Sequence, residues 1–212
     1  MIVLKSDQEI DQMRKAGRLA WELLEKVGEM IEPGISTEDI NQMVHTYTLK
    51  KGAISAPLNY RGFPKSICTS VNHVVCHGIP SKRQVLKDGD IVNVDVTPIL
   101  DSFYGDSSRT FYVGKNISQE AKRLTECAKK CLDLGIAQVK DGCRIGDIGH
   151  AIQSYAEGLG YGVVKDFVGH GIGRQFHEDP QVMHYGSPGK GVRLTKGMVF
   201  TIEPMINEGD WR

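Results

Sequence analysis

Two acidic residues, Asp95 and Asp106, lie in a stretch whose pattern is typical of a β-hairpin. Residues 91–99 are rich in β-branched side chains, and their alternation places valines on one face and polar residues on the other. If the turn is centred on Leu100 and Asp101, Asp95 lies directly opposite Asp106, with Cβ atoms about 5 Å apart. Two such carboxylates repel each other, and the valines would desolvate them. The pattern therefore predicts a shared proton or, preferably, a bound cation.

A repeated pattern connects this hairpin to the rest of the chain. Several residue pairs are related by one constant offset: Gly34 and Gly142, Asp39 and Asp147, Ile40 and Ile148, Tyr47 and Tyr155, Gly52 and Gly160, Leu86 and Leu194, and Gly89 and Gly197. The same offset relates Asp95 to Glu203. Two passes of this length predict a single duplicated domain over residues 1–212, with pseudo-symmetric halves at about 7–114 and 118–212.

The repeat also makes a prediction about the end of the chain. Asp106, moved by the same offset, falls just beyond Arg212. We therefore expect a domain truncated at its C-terminus, in which the second half stops before its own counterpart of Asp106.

Helices and strands in a repeated order must position these acids. Apolar residues at helical spacing predict helices over residues 7–31, 36–52, 118–141 and 145–160, and a strand is predicted at 67–75. Ser36 followed by Asp39 approximates a capping box at the start of the second helix. Together with the acidic hairpin, these elements predict an α+β domain.

Composition restricts the class of protein. A formal net charge of zero gives no electrostatic reason to expect nucleic acid or an anionic membrane as the main partner. The N-terminal residues lack the apolar core of a signal peptide, and no apolar run is long enough to span a bilayer. The cysteines are odd in number and none forms a CxxC pair, so we expect free thiols in a reducing cytoplasm.

Four side chains form a candidate metal-binding set: Asp95, Asp106, His170 and Glu203. Carboxylates with a single imidazole suit a divalent metal of intermediate hardness, such as Mn, Fe, Co or Zn. Carboxylates that can bridge favour two ions about 3.5 to 4 Å apart, an arrangement that activates a shared water. His170 lies in the motif GHGIG, where glycines allow a close approach of metal or substrate.

Two further histidines are candidates for contact with a substrate. His177 follows in FHEDP, where a neutral imidazole can donate a hydrogen bond to a developing oxyanion, and His77 lies in CHGIP. The remaining histidines, His45, His73, His150 and His184, lack such a context and are expected to be surface or hydrogen-bonded core residues. Cys127 and Cys131, one helical turn apart, are expected in the core.

Taken together, these motifs resemble those of the type I methionine aminopeptidases, which have the pita-bread fold. The motifs are CHGIP, DGDIVNVDV, GD, GHGIGRQFHE and TIEPM, and they follow the family's order from Lys5 to Asn207. The resemblance implies an α+β fold with a curved antiparallel sheet, helices on its outer face and two pseudo-symmetric halves.

The resemblance also implies an activity and a metal centre. The implied reaction removes the N-terminal methionine from nascent proteins and peptides with a small second residue, by attack of a metal-bridging water on the first peptide bond. Two divalent ions (Co, Mn, Fe or Zn) are implied, with Asp106 bridging them and Asp95 binding one. His170 and Glu203 would bind the other, and Glu203 would also move the proton of the water.

The resemblance assigns the substrate contacts as well. His77 and His177 would contact the substrate, and the methionine pocket would be lined by Tyr60, Phe63, Cys68 and Phe176. The expected partner is the N-terminal methionine of nascent polypeptides, near the ribosome, and the protein is expected to be a cytoplasmic monomer without nucleic-acid specificity or membrane attachment.

The C-terminus departs from the family pattern, because the family's last bridging glutamate would lie beyond Arg212. We therefore expect this chain alone to be weakly active or inactive. Two alternatives stay open: a non-catalytic relative that binds a peptide or protein, and a proline-specific peptidase of the same fold. The latter is disfavoured because such enzymes usually carry an additional N-terminal domain, whereas the first helix here begins close to Met1.

Overall fold

The computed structural model describes residues 1–212, which divide into two compact units. The first unit is Gln8–Gln119, and the second contains Met1–Asp7 together with Glu120–Arg212. No helix in the structure is long and apolar enough to cross a membrane. The four helices are α1 (Asp7–Met30), α2 (Thr37–Lys50), α3 (Gln119–Ala137) and α4 (Ile145–Gly158). A single short 3-10 turn covers Tyr60–Gly62.

The first unit contains two antiparallel three-stranded sheets. Its strands are β1 (Ile54–Ser55), β2 (Ile67–Val71), β3 (Ile91–Val96), β4 (Pro98–Leu100), β5 (Phe103–Tyr104) and β6 (Ser107–Tyr112). The strands are ordered β2-β3-β6 in one sheet and β1-β4-β5 in the other. The valines of β3, Val92, Val94 and Val96, are fully buried and pack in one cluster with apolar residues of α1 and α2. Burial of this valine face leaves the alternate residues of β3, including Asp95, on the other face of the sheet.

The second unit contains two antiparallel strand pairs. Its strands are β7 (Tyr161–Val163), β8 (Gly169–Gly171), β9 (Glu178–Val182) and β10 (Ile206–Glu208). Strand β7 pairs with β10, and β8 pairs with β9. The core of this unit joins Cys127 and Cys131 of α3 to Ile148 and Ile152 of α4, as the sequence predicts for the two cysteines. All five cysteines are free thiols, as predicted from their odd number and the lack of a CxxC pair.

The predicted helices are confirmed, and the capping box is present. The Ser36 backbone N–H donates to Asp39 Oδ2 at 3.1 Å, and the Asp39 N–H donates to Ser36 Oγ at 3.2 Å. Asp147 has a comparable role at the start of α4, where its Oδ2 accepts from the Arg144 N–H at 2.7 Å. The predicted strand 67–75 is shorter than expected, because Asn72, directly after β2, has a φ of 51° that ends the extended conformation.

The predicted register of the acidic hairpin is wrong by two residues. Asp95 is paired with Ser108, so it lies diagonally to Asp106 instead of directly opposite. The turn is centred on Asp101 and Ser102, whose φ angles of 50° and 68° are both left-handed. Consecutive left-handed residues are typical of the type I′ turn, which matches the twist of a hairpin. Moving the turn by one residue changes the sum of paired positions by two, which explains the error.

Replacing Ser102 with glycine tests this turn. The left-handed region costs a non-glycine residue about 1–2 kcal/mol, which is more than the conformational entropy that a glycine loses on folding. Ser102→Gly is therefore expected to raise the free energy of unfolding by about 0.5–1 kcal/mol. Urea unfolding followed by circular dichroism measures the change. The matched control is Ser108→Gly in β6, an ordinary strand position, where glycine should destabilise the fold by a similar amount. Destabilisation by Ser102→Gly would contradict the turn assignment.

Candidate metal-binding and catalytic residues

The first unit positions Asp95 and Asp106 on its acidic hairpin. Asp95 lies in the central strand β3, between Cys68 of β2 and Ser108 of β6. Asp106 lies between β5 and β6, where its Oδ1 accepts a hydrogen bond from the Thr97 hydroxyl at 3.3 Å. Both carboxylates are half-buried, and a strand with neighbours on both sides holds Asp95 in place. The hairpin therefore supplies two acids from a rigid support.

The pKa of the Cys68 thiol depends in part on the nearby carboxylates of Asp95 and Asp106. Burial raises its pKa most strongly, and electrostatic interactions with Asp95, Cys76 and Asp106 raise it further. The thiol is therefore neutral near pH 7. Because both carboxylates act on one neighbouring group, they create a region of negative potential that would stabilise a bound cation.

The second unit positions His170 so that one ring nitrogen is suited to bind a metal. Its Nδ1 is 2.9 Å from the carbonyl oxygen of Gly171, and since a carbonyl only accepts, Nδ1 carries the proton. The lone pair therefore lies on Nε2, which is 3.6 Å from Glu203 Oε1. A backbone carbonyl bound to one imidazole nitrogen is the arrangement that orients metal-binding histidines. The imidazole and carboxylate thus form a pair of potential metal ligands.

Thr201 links His170 to Glu203. Its hydroxyl oxygen accepts from the His170 backbone N–H at 2.9 Å and donates to Glu203 Oε1 at 2.6 Å. The Thr201 N–H in turn donates to the His170 carbonyl at 2.8 Å. These bonds fix the distance between the two candidate ligands.

His184 is a supporting residue that the sequence did not single out for function. It is fully buried, and its Nε2 accepts the backbone N–H of Glu203 at 3.1 Å. Burial lowers the pKa of His184 to about 4, so the imidazole is neutral near pH 7 and can act as this acceptor. His184 was predicted to be a surface or hydrogen-bonded core residue, and it lies in the core. No motif in the sequence indicated its contact with Glu203.

His177 and Phe176 lie together in the loop between β8 and β9. Their rings are stacked, with centroids 4.4 Å apart and an interplanar angle of 30°. The His177 ring is also 4.3 Å from the ring of His170. His177 is exposed and Phe176 half-buried. The second unit therefore brings an accessible imidazole next to a candidate metal ligand.

The remaining predicted substrate residues lie in the first unit. Tyr60 and Phe63 are half-buried at the 3-10 turn, and Cys68 is buried in β2. His77 is exposed and has a left-handed φ of 55°. A groove of about 450 Å³ is lined instead by residues of α1 and α2, including Lys26 and Tyr47, and contains none of these predicted residues.

The Asp95–Asp106 pair and the His170–Glu203 pair both carry donor atoms that suit a divalent metal. Two carboxylates lie on one hairpin, and a neutral imidazole with its lone pair on Nε2 lies beside a third carboxylate. No group of three or more histidine, cysteine, aspartate or glutamate side chains in residues 1–212 is placed to hold an ion. The structure therefore gives one pair of candidate ligands in each unit.

Comparisons with known proteins agree with the chemistry of these residues. Residues 11–212 match the family model of metallopeptidase family M24. Methionine aminopeptidase A of Synechocystis sp. is 59% identical over 99% of this chain and 83% of its own length. The crystal structure of methionine aminopeptidase from Rickettsia prowazekii superposes with a TM-score of 0.98 at 50% identity, covering 100% of this chain and 85% of that one.

More distant members of the family share the fold. The Xaa-Pro dipeptidase of Bacillus anthracis superposes with a TM-score of 0.82 at 25% identity, covering 95% of this chain and 54% of that one. These likenesses confirm the predicted pita-bread fold, with its antiparallel sheets and helices. The chain belongs to metallopeptidase family M24, and within that family it groups with the methionine aminopeptidases.

Proposed function

We propose that this protein removes the N-terminal methionine from polypeptides whose second residue is small. The name and the 59% identity of the Synechocystis relative support this substrate, and the 0.98 TM-score of the Rickettsia structure supports a common scaffold. The observation that carries the proposal is the His170–Glu203 pair, in which the Gly171 carbonyl fixes His170 in the tautomer that can bind a metal.

The proposed metal ligands are Asp95, Asp106, His170 and Glu203. The repeat halves, about 7–114 and 118–212, are proposed as pseudo-symmetric parts of a single catalytic domain. The proposed occupants are two divalent ions, Co, Mn, Fe or Zn, to which this mixture of carboxylates and imidazole is suited. When bound, such ions polarise a carbonyl oxygen and lower the pKa of water to near neutrality.

The side chains have distinct proposed roles in peptide hydrolysis. Glu203 accepts a proton from the attacking water and delivers it to the leaving amine. His177, exposed beside His170, donates a hydrogen bond to the oxygen of the scissile carbonyl as negative charge develops there. His77 contacts the substrate from the first unit. The neutral His184 holds the backbone of Glu203 and so keeps its carboxylate oriented.

The proposed methionine pocket is lined by Tyr60, Phe63, Cys68 and Phe176. A thioether prefers polarizable and aromatic neighbours, and the high pKa of Cys68 keeps its thiol uncharged and compatible with an apolar side chain. We further propose that the protein acts as a cytoplasmic monomer on nascent chains near the ribosome, as part of protein maturation.

Replacing His170 tests the proposed metal site. His170→Ala removes the imidazole lone pair and is expected to lower the affinity for Mn²⁺ by more than about tenfold, as loss of metal-site residues commonly does. Isothermal titration calorimetry of the chain freed of metal by a chelator measures the affinity. The control is His150→Ala, an exposed position on α4, which should leave the affinity unchanged. Equal Mn²⁺ affinity of the two variants would exclude His170 as a ligand.

Replacing His177 tests the proposed catalytic role. His177→Gln is expected to lower kcat by about 10²- to 10³-fold, because an oxyanion donor acts mainly in the transition state, while Mn²⁺ affinity stays unchanged. The measurement is methionine release from the peptide Met-Gly-Met by the Mn²⁺-loaded chain. His73→Gln, an exposed histidine, serves as the control.

The choice of peptide separates the proposal from its alternatives. Met-Gly-Met should be cleaved and Met-Leu-Met should not, because the second residue must be small. Cleavage restricted to peptides with proline in second place would instead indicate the proline-specific activity of the more distant relatives. Tight binding of Met-Gly-Met with no methionine release at any Mn²⁺ concentration would fit the alternative of a non-catalytic binding protein, whereas slow release fits the weak activity expected of this chain.

A further inference from the structure

A buried ion pair joins the N-terminal segment to the loop that carries Phe176 and His177. Lys5 Nζ contacts Glu178 Oε2, although the two residues are 173 positions apart. Their side chains are only 4% and 12% exposed. Most ion pairs on protein surfaces contribute little, but a pair this buried holds its partners firmly because separating them leaves an uncompensated charge.

The second carboxylate oxygen of Glu178 binds backbone amides of the loop between β8 and β9. Glu178 Oε1 accepts the backbone N–H groups of Arg174 at 3.0 Å and Gln175 at 3.2 Å. These residues directly precede Phe176 and His177 in the chain. Charge-assisted hydrogen bonds of this kind are stronger than neutral ones. Glu178 therefore sets the backbone path on which the His177 ring is carried.

Lys5 is itself held in place from several sides. Its backbone N–H donates to the Gly197 carbonyl at 2.7 Å, and its Nζ also donates to the Val3 carbonyl at 3.2 Å. Gly173 packs so closely that a Cβ there would lie 2.8 Å from both Lys5 Nζ and Glu178 Oε1. The ion pair therefore occupies the space that a side chain at position 173 would fill.

We propose that Lys5 and Glu178 are positioning residues that hold His177 in its working orientation. The inference rests on the role proposed above for His177. It assigns a function to the segment Met1–Asp7, which belongs to the second unit although α1 leads directly into the first. The competing view is that the pair only stabilises the fold.

Three variants separate these two roles: Lys5→Met, Glu178→Gln and the double variant. Each single variant leaves one buried charge without its partner and should lower Tm. The double variant removes both charges, so no buried charge is left without a partner and its Tm should return close to that of the unmodified chain. Its glutamine is a neutral and weaker acceptor for the loop amides than the carboxylate, and Lys5 no longer anchors it. If a single variant fails to fold, the double variant still decides the question.

The decisive readouts are loop hydrogen exchange and the NMR signal of the His177 ring. In the double variant, the Arg174 and Gln175 amides should exchange at least about tenfold faster, while the amides of α4 keep their protection. The His177 Cε1–H signal, shifted by the stacked Phe176 ring, should move toward its random-coil position. Lys129→Met serves as a control, since Lys129 pairs with Asp133 on the exposed face of α3.

Each outcome has a defined meaning. Unchanged loop exchange and an unchanged His177 signal in the folded double variant would overturn the positioning role and leave only stabilisation. For the Mn²⁺-loaded chain, the double variant should lower kcat on Met-Gly-Met by about tenfold or more with little change in KM, since His177 acts in the transition state. Because the exchange and NMR readouts need no turnover, they test the ion pair separately from the proposed peptidase activity.

Discussion

The concentration of negative charge on one half-buried hairpin is the constraint on which the proposed chemistry depends. Asp95 lies in the centre of a three-stranded sheet whose other face is a packed layer of valines, and Asp106 lies diagonally across the same hairpin. Together with burial, the two carboxylates raise the pKa of the neighbouring Cys68 thiol. Strand β3 holds Asp95 between two neighbouring strands, and the Thr97 hydroxyl donates to Asp106 Oδ1 at 3.3 Å. In the proposed function a bound cation would offset this negative charge, so the packing of β3 is one reason for proposing a metal there.

Much of this arrangement could be predicted because it depends on local patterns. Alternation of valines and polar residues identified β3, and helical spacing identified all four helices. The Ser36 and Asp39 capping box was recognisable because both partners lie within one turn of chain. The side chains of the candidate metal set, which stays a prediction, were selected for a related reason. Asp95 has alternating valine neighbours, and Asp106 and His170 have glycine neighbours, whereas Glu203 was selected because the repeat offset relates it to Asp95.

Features that depend on contacts between distant segments were not predictable in this way. The hairpin register depends on which two residues adopt left-handed φ angles, and neither Asp101 nor Ser102 is the glycine that would have marked the turn. His184 has no motif, and its hydrogen bond to the Glu203 backbone exists only because two loops of the second unit meet. Similarly, nothing near Lys5 in the sequence indicates a carboxylate 173 residues away. In each case the tertiary structure, and not the local sequence, selects the partner.

The second unit shows how distant contacts and local motifs combine around a candidate site. The motif around His170 supplies a candidate ligand and glycines, whereas His177 lies in a loop whose amides are bound by Glu178. Glu178 is in turn oriented by a lysine of the N-terminal segment. A Cβ at position 173 would clash with Lys5 and Glu178 in their present positions, so a larger residue there would displace the ion pair. One glycine of the motif therefore has a second physical cause besides access of metal or substrate, because Gly173 also makes room for the ion pair proposed to hold the loop.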